Sequence, residues 1–70
     1  MYSLIENQQL TPREHQVLLE VAKGKSRKEI AYDLGMAYGT LDTHLKHIFL
    51  KLQTRSMTET AIWAIRHEGV

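Results

Sequence analysis

The apolar positions along the chain recur with the period of an α-helix. The longest stripe falls at i, i+4, i+7 and i+11, spacing that one face of a helix presents to a core, and consists of Leu41, Leu45, Ile48 and Leu52. Shorter stripes of helical period lie in residues 17–22, 30–34 and 57–65. No stretch alternates between apolar and polar residues for long enough to predict a β-strand. The pattern therefore predicts an all-α fold with four helices.

Capping residues sharpen the bounds of these helices. Thr11, Ser26 and Ser56 each stand three positions before a Glu, which is the spacing of a capping box at a helix start. Glycines at positions 24, 35 and 69 follow three of the stripes, where a left-handed residue commonly ends a helix. The predicted helices span residues 12–23, 27–34, 38–52 and 57–67. Residues 1–9 are predicted to be an arm or linker, and residues 10–70 a single helix-turn-helix domain.

Composition excludes several classes of protein. A chain of 70 residues without cysteine has neither a disulfide nor a thiolate zinc site. The longest apolar run, Ala61–Ile65, is far shorter than the roughly 20 residues of a membrane span. His44 and His47 have a spacing that could share a metal, but no carboxylate or cysteine nearby in the sequence completes the site. Because no catalytic motif appears either, we expect no enzyme activity, no metal, no cofactor and no membrane contact.

The net charge of +1 is low for a protein that binds nucleic acid. The charges are, however, unevenly distributed along the sequence. Residues 23–55 contain seven Lys and Arg against three Asp and Glu, a sum of +4, whereas the segments on either side are acidic. The near-neutral total thus hides a basic middle that coincides with the second and third predicted helices.

A series of short motifs resembles the LuxR-type (FixJ/NarL/GerE-type) helix-turn-helix domain of bacterial transcription regulators. In chain order the motifs are Leu10-Thr11-Pro12-Arg13-Glu14, Gly24, Lys28-Glu29-Ile30-Ala31, Leu34-Gly35, Thr40-Leu41, His44, Ile48, Lys51-Leu52, Arg55-Ser56 and Thr58-Glu59. The resemblance covers nearly the whole chain without a gap. It implies sequence-specific binding of double-stranded DNA in the cytoplasm, either by a stand-alone regulator or by the effector domain of a response regulator.

The resemblance also implies a role for each helix. The third helix would enter the major groove, with Asp42, Thr43 and Lys46 at the positions that contact bases. Contacts to the DNA backbone would come from Arg27, Lys28, Thr40, His44 and Lys51. The fourth helix would form a homodimer through Thr60, Ile62, Trp63 and Arg66, while its stripe of Met57, Ala61, Ala64 and Ile65 faces the core. RNA polymerase and an upstream sensor domain are further expected partners. For Trp63 the alternative is a purely structural position in the core.

Three features depart from the family pattern. Asp42 stands where the family often has Lys, which places a negative charge near the groove. Ala37 replaces the usual Ser or Thr cap, and Gly39 follows one turn into the helix, so its first turn is expected to be weak unless Met36 and Tyr38 hold it by packing. These departures fit an altered base preference, which we favour. They also fit a protein-interaction module, with a degenerate helix-turn-helix, that binds another regulator through Ile62, Trp63 and the apolar Leu45 and Leu50.

Overall fold

Four α-helices follow one another in the computed structural model, which describes residues 9–68. They are α1 (Pro12–Ala22), α2 (Arg27–Leu34), α3 (Tyr38–Leu52) and α4 (Met57–Glu68). Each predicted bound agrees with the structure to within one residue, and the described part of the chain contains no strand. The all-α prediction is confirmed. The arm predicted for residues 1–9 and the glycine at position 69 lie almost entirely outside the described residues.

The first two helices begin with complete capping boxes. At α1 the Thr11 hydroxyl accepts a hydrogen bond from the Glu14 amide (3.1 Å), and the Glu14 carboxylate accepts one from the Thr11 amide (3.0 Å). Ser26 and Glu29 make the same exchange at α2, at 3.2 and 2.8 Å. Each box satisfies two amides that a helix start would otherwise leave without partners.

The start of α4 departs from the predicted capping box. The Ser56 hydroxyl accepts from the Glu59 amide (3.1 Å) as expected. The Glu59 carboxylate, however, accepts from the amide of Arg55 (2.8 Å) rather than from that of Ser56. Glu59 therefore fixes the residue that leads into the helix, one position earlier than a capping box would.

The turn between α2 and α3 is short, and a hydrogen bond from α1 holds it in place. Gly35 ends α2 in the left-handed conformation, with φ of +64°, which a residue without a Cβ adopts without strain. The Arg13 guanidinium of α1 donates to the carbonyl of Leu34 (2.8 Å), the last residue of α2. Ala37 begins α3 with no side-chain cap, as the sequence predicted, and the preceding Met36 packs against the core.

The core lies at the centre of the four helices and draws on all of them. Its buried apolar residues are Val17, Leu18 and Val21 of α1, Ile30 and Ala31 of α2, Leu41, Leu45 and Ile48 of α3, and Ala64 of α4. α4 packs mainly against α1, whereas α3 contacts both α1 and α2. One face of α3 is thereby committed to the core and the other is left to solvent.

The face that α4 turns to the core differs from the prediction at two positions. Thr60, predicted at the dimer surface, is fully buried, and Ile65, predicted in the core stripe, is half exposed. The Thr60 hydroxyl donates to the carbonyl of Ser56 (2.8 Å) and shares a hydrogen bond with the Thr54 hydroxyl (2.7 Å). Since its polar group is satisfied, Thr60 occupies a core position beside Ala64. Both predictions are wrong, because the buried side of α4 runs through Thr60 and Ala64 and leaves Ile65 half exposed.

Candidate nucleic-acid interface

One face of α3 is exposed to solvent and carries mostly polar residues. Leu41, Leu45 and Ile48 are fully buried on the opposite side. The solvent side carries small, polar and cationic residues and one apolar residue, namely Gly39, Thr40, Thr43, Lys46, His47 and Leu50. An α-helix with one polar face free has the dimensions to fit the major groove of B-DNA.

Two of the three residues predicted to contact bases are fully available on this face. Thr43 is exposed, and its hydroxyl donates to the carbonyl of Gly39 one turn earlier (3.1 Å). Lys46 is exposed and forms no ion pair with any of the described residues. A free ammonium can donate to guanine O6 or N7, and a threonine methyl can contact the methyl group of thymine.

Asp42, the third predicted base contact, is not an isolated negative charge. Its Oδ1 lies 3.7 Å from Nε of Arg27, the first residue of α2. Their positions are 15 apart in the sequence, and no spacing rule connects them. The negative charge that Asp42 is expected to bring near the groove is therefore partly offset by a neighbouring guanidinium.

The predicted backbone contacts differ in how accessible their polar groups are. Lys28 and Thr40 are exposed and His44 is partly buried, all on α2 or α3. Lys51 is different, because its ammonium donates to the Glu14 carboxylate (2.7 Å) and to the carbonyl of Gln9 (3.2 Å). The Lys51 ammonium is thereby engaged within the domain, while its side chain keeps 24% exposure, and its contact with a DNA phosphate stays a prediction.

Glu14 is the centre of this interior ion pair. Its side chain is only 4% exposed, with Lys51 on one oxygen and Nδ1 of His47 3.4 Å from the other. Burial raises the pKa of Glu14, but the hydrogen bonds from Lys51 and from the Thr11 amide, with the charge of Lys51, outweigh it and hold this pKa below its ordinary value. The fold thus brings to His47 a carboxylate that is distant from it in the sequence. Among the described residues, however, no three His, Asp or Glu side chains form a metal site.

Two lysine side chains of the basic middle segment form ion pairs with neighbouring carboxylates. Lys25 contacts both Glu20 (2.6 Å) and Asp33 (2.7 Å), and Lys23 contacts Glu20 (3.1 Å). The carboxylates of Asp33 and Glu20 raise the pKa of Lys25, and the two lysines lower that of Glu20. Lys28 and Lys46 make no such pair within the described residues. Positive charge is thereby left on the helix-turn-helix rather than on the loop that precedes it.

The exposed side of α4 carries the remaining predicted dimer contacts. Ile62 is 46% exposed and Arg66 is exposed. Trp63 packs partly against the core while its ring stacks on that of His67, with centroids 4.2 Å apart. These side chains line a shallow groove between α4 and the end of α3. Trp63 therefore packs against the core and also reaches the surface, so its part in a dimer stays a prediction.

Comparison with known proteins identifies a family that matches most of the chain. Residues 8–64 match the family described as bacterial regulatory proteins, luxR family. The chain is 42% identical over 59 residues to the uncharacterized transcriptional regulatory protein YhcZ of Bacillus subtilis, a match that covers 84% of this chain and 28% of that protein. It is 40% identical over 55 residues to the nitrate/nitrite response regulator protein NarL of Escherichia coli, covering 79% of this chain and 26% of NarL.

A third relative is the response regulator protein VraR of Staphylococcus aureus, 40% identical over 58 residues, which are 83% of this chain and 28% of VraR. The chain thus spans little more than a quarter of the length of these relatives. No helix in the described part of the chain is both long enough and apolar enough to cross a membrane.

Proposed function

Because this chain belongs to the luxR family of bacterial regulatory proteins, we propose that it binds double-stranded DNA sequence-specifically, with α3 in the major groove, and so regulates transcription in the cytoplasm. The observation that carries the proposal is the division of α3 into two faces. Leu41, Leu45 and Ile48 hold one face in the core, while Thr43 and Lys46 stand free on the other. We also propose an upstream sensor domain and RNA polymerase as partners; the relatives named response regulators support the first of these.

The proposed contacts fall into two groups. Thr43, Lys46 and Asp42 face the bases, and a single good contact of this kind discriminates by about 1–3 kcal/mol. The groups proposed to contact the DNA backbone are Arg27, Lys28, Thr40 and His44, which are on α2 and α3. Contacts to phosphate orient the domain on DNA but carry no direct sequence information.

Binding to duplex DNA across a salt series tests the proposal. If each subunit neutralises about three to four phosphates, the logarithm of affinity should fall with the logarithm of salt concentration with a slope of about −3 per subunit. Selection of bound sequences from random duplexes supplies the preferred site. Fluorescence anisotropy with that site and with a scrambled duplex then separates specific from non-specific binding.

Three lysine variants distinguish the two groups of contacts. Lys46→Ala should relax the sequence preference, whereas Lys28→Ala should weaken all duplexes alike and reduce the salt slope by about one. Lys23→Ala is the matched control, because this lysine pairs with Glu20 and belongs to neither α2 nor α3. An equal loss in all three variants, or no salt-dependent binding by the folded chain, would contradict the proposal.

We further propose that two copies pair through α4. Ile62, Trp63 and Arg66 share a side of this helix with Glu59, since their spacings are three, four and seven residues. In an antiparallel pair with two-fold symmetry, Ile62 would face the Trp63 side chain of the second copy and Glu59 would face its Arg66. The surface is thus self-complementary in both shape and charge, as a two-fold interface requires.

Sedimentation velocity over a range of concentrations tests the pairing. Ile62→Asp should shift the chain towards monomer, with Ile65→Asp, a half-exposed position outside the proposed contact set, as the control. A wild-type chain that is monomeric both free and on palindromic DNA would rule out the pairing.

One observation favours the alternative of a protein-interaction module. Leu50 is 73% exposed on the outer face of α3, where a phosphate or base contact would call for a polar group. Leu45, which the sequence grouped with it, is fully buried and available to no partner. A folded dimer that fails to bind any duplex at low salt would favour this alternative over DNA binding.

A further inference from the structure

The two helices of the helix-turn-helix are joined by one ion pair, between Arg27 at the start of α2 and Asp42 in the second turn of α3. It is the only ion pair between α2 and α3 that the structure shows within residues 9–68. The Nε–Oδ1 distance is 3.7 Å, and the two side chains are 37% and 42% exposed. At this length the pair attracts through charge without forming a hydrogen bond.

Both partners are left with unused hydrogen-bonding capacity. Nε of Arg27 is shielded from solvent and has no acceptor among the described residues. The carboxylate of Asp42 accepts no hydrogen bond within the described part of the chain. A shielded donor without an acceptor is unfavourable. The free energy of the domain therefore falls when either group finds a hydrogen-bonding partner.

Double-stranded DNA offers a suitable partner to each group. A carboxylate in the major groove accepts from the amino group at N4 of cytosine. A guanidinium binds phosphate oxygens, and it also offsets the repulsion between a carboxylate and the DNA backbone. Without such a cation at its side, Asp42 on α3 would oppose the approach of any duplex.

We propose that Arg27 is a specificity-determining positioning residue: by neutralising Asp42 and holding it from one side, it lets the carboxylate select cytosine in the major groove instead of repelling DNA. This inference rests on the proposed placement of α3 in the major groove. Arg27 would then influence base recognition by way of Asp42, in addition to its contact with a DNA phosphate. The two residues then act as one unit, so removing either should change what the other does.

Four forms of the full 70-residue chain test this coupling: wild type, Arg27→Ala, Asp42→Ala and the double variant. Asp42→Ala should bind the selected duplex about ten-fold more weakly relative to a duplex with that cytosine pair replaced, so that the cytosine preference disappears. Arg27→Ala should weaken binding to every duplex, because the carboxylate is left uncompensated. Adding Asp42→Ala to Arg27→Ala should restore several-fold of the lost affinity without restoring the cytosine preference.

The rescue separates a positioning role from the alternatives. If Arg27 only contacts phosphate, the double variant binds no better than Arg27→Ala. Lys28→Ala is the matched control, because Lys28 is the next residue and has no acidic partner among those described; Asp42→Ala should not rescue it. Arg27→Lys, which keeps the charge, should retain most of the overall affinity. Thermal unfolding by circular dichroism confirms that each variant is folded.

The outcomes distinguish failure of this inference from failure of the proposed function. Salt-dependent binding by wild type together with no rescue in the double variant overturns the role of Arg27 alone. Absence of duplex binding by folded wild type overturns the DNA-binding function and, with it, this inference.

Discussion

Helix α3 is joined to α1 by Glu14 and Lys51 and to α2 by Arg27 and Asp42. The first pair is short, at 2.7 Å, and its carboxylate is almost fully buried and receives a second hydrogen bond from a helix-start amide. The second pair is long, at 3.7 Å, partly exposed and without a hydrogen bond. An ion pair between an acidic and a basic side chain is thus used in two ways. A saturated, buried pair holds the frame of the domain, whereas a loose, exposed pair remains available to an incoming ligand.

Removing the acid from each pair should show the largest difference between them. Glu14→Ala is expected to lower the free energy of unfolding by about 3 kcal/mol, the lower end for one partner of a buried pair, because Lys51 retains 24% exposure. Asp42→Ala should cost less than about 1 kcal/mol, as partly exposed pairs do. Urea denaturation followed by far-ultraviolet circular dichroism measures both. Equal losses of unfolding free energy would show that the buried pair and the exposed pair stabilise the fold to the same extent.

Acid should weaken the buried pair while both partners remain in place. The pKa of Glu14 is lower in the folded chain than its ordinary value, so its ionised form stabilises the fold above the unfolded pKa of about 4.5. That contribution is lost as the pH falls through the lowered pKa, when the carboxylate facing Lys51 and His47 takes up a proton.

Comparison with an uncharged variant isolates this effect. Urea unfolding of wild type and Glu14→Gln should differ most near neutral pH and converge as the pH falls through the lowered pKa of Glu14. Glu20, whose pKa Lys25 and Lys23 also lower, titrates in both proteins and cancels in the difference. A gap that stays constant with pH would assign the stability of this site to packing.

The smallest expected effect on the free energy of unfolding concerns the start of α3, the helix that carries Asp42. Ala37 occupies the N-cap without a capping hydrogen bond. Ala37→Ser should therefore raise the free energy of unfolding by up to about 1 kcal/mol. The reverse change at α2, Ser26→Ala, removes a cap that is present and should lower it by a similar amount. If Ala37→Ser leaves thermal stability unchanged, packing already holds this turn.

The sequence predicted the helices well because their signals are local. Capping boxes lie within four residues and apolar stripes within a few turns, so Thr11, Ser26 and the stripe through Leu41 and Ile48 could be interpreted without knowing the tertiary fold. The corresponding errors are local as well. Thr60 was predicted at the dimer surface, although its hydroxyl has partners four and six residues earlier in the chain.

The candidate site was predicted less completely because its charges pair over long distances in the sequence. Lys51 meets Glu14 across 37 positions, and a spacing pattern cannot reveal that its ammonium is already occupied. The same is true of Arg27 and Asp42. Sequence identifies which residues could carry a contact, whereas only the packed helices show which of those groups remain free.

The neighbouring residues Arg13 and Glu14 have a mechanical consequence. Arg13 holds the last carbonyl of α2 and Glu14 holds the last turn of α3 through Lys51, so the first turn of α1 clamps both helices at once. α4 in turn rests mainly on α1. A load applied to α4 would reach α3 chiefly by way of α1, which acts as a strut between the proposed pairing surface and the proposed DNA-reading surface.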